Sequence, residues 1–321
     1  MADDLGDVNR RPAAEDAGPG GPAGQSGRAA VTVAFDGSPE AAAALRWAAH
    51  EAASCRAALE IVVAWQDPVM GGGQSAASPE DQRAHELAAG ATTVASRIER
   101  RLVVRQHVEC GTARSVILGR THEAGLLVMG TAGHVGRLGA LLGSVSRYVV
   151  NRVDVPVVLL GPEAASFVES RIVVVCRFGV AEGSTVAWAI QRARSRPDRV
   201  LHLLDTWSPP GLGIGMVEQS SRDLAHRQAV LAHRQALEQL RRAAGEVPVS
   251  GALFEGRPAD VEYAHALPGD LLVVGAADVD QRPSLAHVRC PVAVVPPMPV
   301  AAAEPVSEVQ GGVTAPASTR G

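Results

Sequence analysis

The chain has 321 residues, 46% of them hydrophobic and 3% aromatic, which provides for about two domains packed from Ala, Val and Leu rather than from rings. Its net charge of -4 argues against a general affinity for nucleic acid or other polyanions. All 30 cationic side chains are arginine, which excludes a lysine nucleophile, a Schiff base or a Walker-type phosphate lysine.

In chain order, residues 1–28 are rich in Pro, Gly and Ala, lack the apolar region of a signal peptide, and are expected to be a disordered tail. VTVAF is a continuous apolar run, the pattern of a strand buried on both faces of a parallel sheet. Asp36 closes it. Ser38 then reads as an N-cap and Pro39 as the first residue of a helix. IVVAW is a second strand, with Ala64 near its end, and residues 78–101 form a longer helix. Next comes CGTARSVILGRTHEA, followed by the apolar run ending at Gly130. The string GTAGHVGRLGALLGS then leads toward a helix opening at Ser144, and VPVVLLGP closes the unit. No run reaches the ~20 apolar residues of a membrane span, so the chain is expected to be soluble and cytoplasmic. Cys55, Cys110, Cys176 and Cys290 are scattered without a CxxC pair and read as reduced, mostly buried thiols.

The chain then repeats itself. AVTVAFDGSPEAAAALRWAAHEA is answered by RIVVVCRFGVAEGSTVAWAIQRA, with Trp47 on Trp188 and Asp36 on Arg177, both at an offset of 141. Gly111 meets Gly256 and Gly130 meets Gly275 at an offset of 145, and Pro156 meets Pro291 at 135. Two copies of one domain are therefore predicted, at 29–162 and 171–298, joined by a linker at 163–170 and followed by a disordered tail at 299–321. Each copy should alternate strand and helix through five strands, with a helix before the last, which is the pattern of a doubly wound, Rossmann-like α/β domain.

The candidate site lies in the spacing Gly130-x-x-Gly133, nine residues, Gly143-Ser144. Between a strand and a helix, such a loop gathers backbone N–H groups and a helix N-terminus at the carboxyl edge of a sheet, where phosphate binds. Gly130 lets the chain leave the sheet, Gly133 admits phosphate to the backbone, and Gly143 with Ser144 offers free amides and a hydroxyl. Asp36 stands at the same edge, where it can cap the following helix and also accept from a ribose hydroxyl or hold Mg2+ against the phosphates. The strand end around Ala64 is expected to offer a backbone amide and carbonyl to an adenine edge, and Trp65 reads as core. Arg137 is a candidate phosphate partner inside the loop, and His134 has no identifiable partner as a base. No catalytic residue is assigned.

GTAGHVGRLGALLGSVS, with Asp36 in VAFDGS and the closing VPVVLLGP, resembles the ATP-binding branch of the universal stress protein family. The resemblance implies a five-stranded parallel sheet of order 3-2-1-4-5, and it places Asp36, Ala64, Gly130, Gly133, Gly143, Ser144, Val145 and Ser146 on nucleotide-contacting positions. It also implies that the last strands of the two copies meet edge to edge, making an intrachain pseudo-dimer. A further homodimer of chains is left open. The second copy departs from the pattern: Arg177 replaces the acid, Asp278 replaces the second glycine, and the fall in offset from 145 to 135 removes ten residues of the loop. Its site is expected to be dead for ATP.

The expected function is an ATP-binding stress-response regulator, with Mg2+ as cofactor, little or no hydrolysis, and a regulatory protein partner of unknown identity. Two alternatives stand beside it. One is a Mg2+-dependent hydrolase or phosphotransferase with Ser144 or Ser146 as phosphoacceptor. The other is an interaction module with a vestigial loop.

Overall fold

The computed structural model describes residues 30–66, 78–131, 142–161, 164, 169–177, 183–209, 219–281 and 288–297. The predicted tails, and Gly133, His134 and Arg137 of the glycine loop, lie outside the described residues.

The first copy runs β1 (Ala30–Ala34), α1 (Pro39–Cys55), β2 (Leu59–Trp65), α2 (Pro79–Ile98), β3 (Val104–Cys110), α3 (Ala113–Arg120), β4 (Ala124–Gly130), α4 (Ser144–Val150) and β5 (Val157–Leu160). Local chemistry sets the helix ends. The Ser38 side chain accepts from the Ala41 amide and Pro39 sits in the first turn of α1, so one orphan donor is satisfied and the missing proline N–H costs nothing. The helix stops at Arg56, in the left-handed region at φ 53°, whose N–H turns back to the Ala52 and Ala53 carbonyls. Ser78 and Thr112 cap α2 and α3 in the same way as Ser38.

The second copy repeats the order as β6 (Arg171–Arg177), α5 (Gly183–Arg194), β7 (Val200–Trp207), α6 (Gln219–Ala244), β8 (Val249–Glu255), α7 (Pro258–His265), β9 (Asp270–Gly275) and β10 (Val292–Val295). After β9 a 3₁₀ segment, Ala276–Gln281, follows directly; the helix expected before β10 falls mainly on residues 282–287, which lie outside the described residues.

All ten strands form one sheet in the order β3-β2-β1-β4-β5-β10-β9-β6-β7-β8. Each half is parallel and has the order 3-2-1-4-5. The halves join where β10 pairs antiparallel with β5, Ala293 opposite Val158. Both joining strands are fully buried. The edge-to-edge seam expected between VPVVLL and PVAVV is therefore present.

The sheet is covered on both faces, so its central strands are apolar throughout. One face carries α1, α2, α5 and α6 over Val33, Leu45, Ile61, Leu203 and Leu240; the other carries α3, α4 and α7 over Leu127, Val149, Leu159 and Val261. Each fully buried Leu or Ile side chain contributes about 1.5–3 kcal/mol. The packing rests on Ala, Val and Leu, as the scarcity of rings requires.

The linker is more than a connector. Glu169 is 2% exposed. It accepts from Trp47 Nε1 at 3.1 Å, from Arg192 Nη2 at 2.9 Å and from Arg199 Nη2 at 2.9 Å. It joins the α1 helix of one copy to the α5 helix and following turn of the other.

Candidate site at the carboxyl edge of the first copy

In a parallel sheet a strand residue sends its N–H and C=O to the same neighbour, and alternate residues face opposite neighbours. The Val62 carbonyl accepts from the Phe35 amide at 2.9 Å, on the β1 side, and the Trp65 carbonyl accepts from Gly111 at 2.8 Å, on the β3 side. Ala64, two residues beyond Val62, therefore turns its backbone groups toward β1. That strand has already ended at Ala34, so the groups face the space above its end. This is the topological switch point: β1 lies between β2 and β4, and the chain leaves it on the β2 side.

Asp36 stands beside this space, exposed, with Oδ1 accepting from the Ser38 amide at 3.0 Å. The capping use and a ligand use are compatible, because the turn occupies one oxygen. Gly37 makes the turn possible at φ +80°, with Leu87 Cδ1 only 3.0 Å from where a Cβ would stand.

Across the crevice β4 ends at Gly130, paired with Leu160. The Thr131 amide continues the ladder to the Leu160 carbonyl at 2.9 Å, and the Thr131 carbonyl accepts from the Gly143 amide at 2.7 Å. The two ends of the glycine loop are thus tied to each other. This corrects one detail of the sequence reading, because the Gly143 amide is engaged and is not a free donor. The donors left for an anion are the amides of Ser144, Val145 and Ser146. As first-turn groups they have no intrahelical acceptor, and no side chain caps α4.

The three candidate positions in the first turn of α4 divide by role. Ser144 is exposed and Val145 packs in part on the core. Ser146 is buried, and its hydroxyl donates to the Gly130 carbonyl at 2.8 Å, fastening the helix to the end of β4. Trp65 packs against the core, as expected.

Arg114 was not anticipated. From the first turn of α3 its Nη2 donates to the Ser144 carbonyl at 3.4 Å, and its guanidinium lies 4.7 Å from the Tyr148 ring centre. Arg152 sits 3.9 Å from the same ring. A pocket of about 410 Å³ beside α4 is lined by Arg114, Ser144, Arg147 and Arg152 among others. The cation sought in the loop at Arg137 has a counterpart outside it. The only sequence trace was GTARS, in which Thr112 caps the helix that carries Arg114.

Among the described residues no group of three or more His, Cys, Asp and Glu is placed to hold a metal. Mg2+ at a nucleotide site needs only one or two carboxylates, the phosphates completing its shell, and Asp36 fits that role. None of the four cysteines is in a disulfide; Cys176 and Cys290 are buried, but Cys110 is exposed. Burial and the neighbouring Glu51 carboxylate push the Cys55 thiol up to about 11, so it is inert at neutral pH. No described helix is long and apolar enough to cross a membrane.

Residues 28–161 match the Universal stress protein family. Over 267 residues the chain is 28% identical to a universal stress protein of Mycobacterium tuberculosis, covering 77% of this chain and 86% of that one. A solved universal stress protein from Archaeoglobus fulgidus shares 15% identity at a TM-score of 0.56, covering 84% of this chain and 96% of its own. One from Pseudomonas aeruginosa, described as a putative universal stress protein, gives 0.53 at the same identity, covering 93% of its own length. These two structures show that the fold is shared.

Proposed function

We propose, from the match of residues 28–161 to the Universal stress protein family, that the chain is a regulator of that family that binds ATP in its first copy and hydrolyses it slowly or not at all. The carrying observation is the convergence at one sheet edge of the Asp36 carboxylate, the backbone of Ala64, the end of β4 at Gly130 and the first-turn amides of α4. Adenine would lie against Ala64, ribose and Mg2+ at Asp36, and the phosphates on Ser144, Val145 and Ser146. Gly133 and Arg137 complete the proposed set. Several charge-assisted backbone bonds at ~1.5–3 kcal/mol each outweigh the ~0.3–1 kcal/mol of the helix-end field.

A regulatory rather than catalytic role is favoured by Ser146, whose hydroxyl is occupied with the Gly130 carbonyl. The second copy, with Arg177 and Asp278 at the corresponding positions and a shortened segment between β9 and β10, is assigned no ATP. The nucleotide state would be read by a protein partner at the surface of the first copy.

The test is to denature freshly purified protein, identify released nucleotide by mass spectrometry, and titrate ATP with magnesium into the emptied chain. One ATP per chain, lost in Asp36→Ala, is expected. A chain that emerges empty and shows no thermal shift in millimolar ATP with magnesium would falsify the reading.

A further inference from the structure

We propose that the crevice at the amino ends of β1, β4 and β5, on the seam between the two copies, binds a small carboxylate with an apolar body. Its volume is about 1050 Å³, at the upper end of the ~300–1000 Å³ typical of small-molecule sites, which favour domain interfaces. Ala30, Val31, Leu126, Pro156 and Trp188 give it an apolar lining, while Arg192, Arg196 and Arg199 give it a cationic side.

The space exists because the two copies differ there. By the repeat offsets, Ala30 corresponds to Arg171 and Gly125 to Asp270. In the second copy those two residues form a fork-shaped ion pair, Nε to Oδ1 at 2.9 Å and Nη2 to Oδ2 at 2.7 Å. In the first copy the same place holds a methyl group and a hydrogen. The β1–β4 register also shifts between Ala30 and Val31, and Gly125 is the unpaired residue left exposed by it. One copy plugs this position and the other leaves it open.

The charges around the crevice select the ligand. Arg192 is spent on Glu51 and Glu169. Arg199 reaches Glu169, the Arg192 carbonyl at 2.8 Å and Ser195 Oγ at 2.7 Å, yet its Nε, in a side chain 3% exposed, has no partner. Burial and the adjacent Arg192 hold the Arg199 pKa below its ordinary value, which marks a guanidinium short of negative charge. Arg196 is loosely paired at the rim, 3.7 Å from the exposed Asp198. Arg192 and Arg199 balance the buried Glu51 and Glu169 in number, and Arg196 at the rim is held only by the solvent-exposed Asp198 at 3.7 Å, a weak and screened pairing. A single carboxylate can take over from Asp198 at Arg196, whereas a dianion would bring a second charge with no cation to meet it. Arg196 supplies the fork that a carboxylate takes in two hydrogen bonds, and the apolar lining takes the remainder of the molecule.

The experiment is calorimetric titration of the full chain with octanoate, using octylamine and octanol as head-group controls. Octanoate should bind saturably, one per chain, and octylamine should not. Transplanting the second copy's plug, Ala30→Arg with Gly125→Asp, should abolish binding while the circular dichroism spectrum stays that of the parent. Should that variant fail to fold, Arg196→Gln, at a half-buried rim position, decides: octanoate affinity is expected to fall by about tenfold or more, with octanol unchanged. The proposal is overturned if octanoate gives no saturable heat at millimolar concentration, if octylamine binds equally well, or if the folded plug variant or Arg196→Gln binds octanoate like the parent.

Discussion

Glu51 and Arg192 occupy the same position in the two copies, 141 residues apart, and Arg192 Nη1 donates to Glu51 Oε1 across the seam. A twofold dimer of identical subunits would set like residues near its axis against each other; here divergence has replaced them with opposite charges. The linker carboxylate of Glu169 completes the cluster. Removing Arg192 leaves two buried carboxylates sharing Arg199. Arg192→Ala is therefore expected to cost about 3–5 kcal/mol in chemical denaturation. A loss within the ~0–1 kcal/mol of an exposed pair would mean that water reaches the cluster.

The same pair gives stability a pH dependence of known sign. Burial pushes the Glu51 carboxyl up, but the charge and hydrogen bond of Arg192 outweigh it and hold the pKa below the ordinary 4.5. A depressed carboxylate contributes in full above 4.5 and loses its contribution as the pH falls through the lower folded value. Glu51→Gln should be less stable than the parent at neutral pH, and the gap should narrow on acidification below 4.5. A gap constant with pH would show that Glu51 is not ionised in the fold.

At the loop exit two variants should behave oppositely. Gly143→Val keeps the amide that bonds Thr131, and its φ of -56° suits any residue. It is expected to fold normally and to weaken ATP by at least about tenfold by obstructing the phosphate seat. Ser146→Ala orphans the Gly130 carbonyl, which should cost about 1–3 kcal/mol of stability. Ser144→Ala, at an exposed hydroxyl, serves as the control that leaves the melting temperature in place.

Gly37 is a test of the turn that presents Asp36. A side chain there would adopt φ +80° and press on Leu87. Gly37→Ala should lose about 1–2 kcal/mol. A melting curve superimposed on the parent's would show that the turn can relax.

The fold was legible because its signals are local and repeated. Apolar runs marked VTVAF, IVVAW and VPVVLL, and Ser38 with Pro39 announced α1. The offsets exposed the tandem copies, and the family resemblance supplied the strand order. What escaped depends on the distant partner. Glu169 read as linker because nothing in EAASFVES reveals that Trp47, Arg192 and Arg199 surround it. Arg114 escaped because its relation to Ser144 crosses from α3 to α4. The missing ten residues predicted a lost phosphate loop in the second copy, but not the 3₁₀ segment Ala276–Gln281 that directly follows β9. At Gly143 the glycine signature was read correctly as a loop boundary, while the destination of its amide was not.

The antiparallel pairing of β5 with β10 also decides where the sheet stops. It consumes the two most apolar borders, VVLL and VAVV, inside the chain. The borders left over are β3, carrying Arg105, Gln106, His107 and Glu109, and β8, carrying Ser250 and Glu255. The charges along β3 make it a poor template for adding another chain, and β8 ends on a charge at Glu255. Duplication has thus closed the two most apolar borders against each other within one chain, so neither is left to recruit a second molecule.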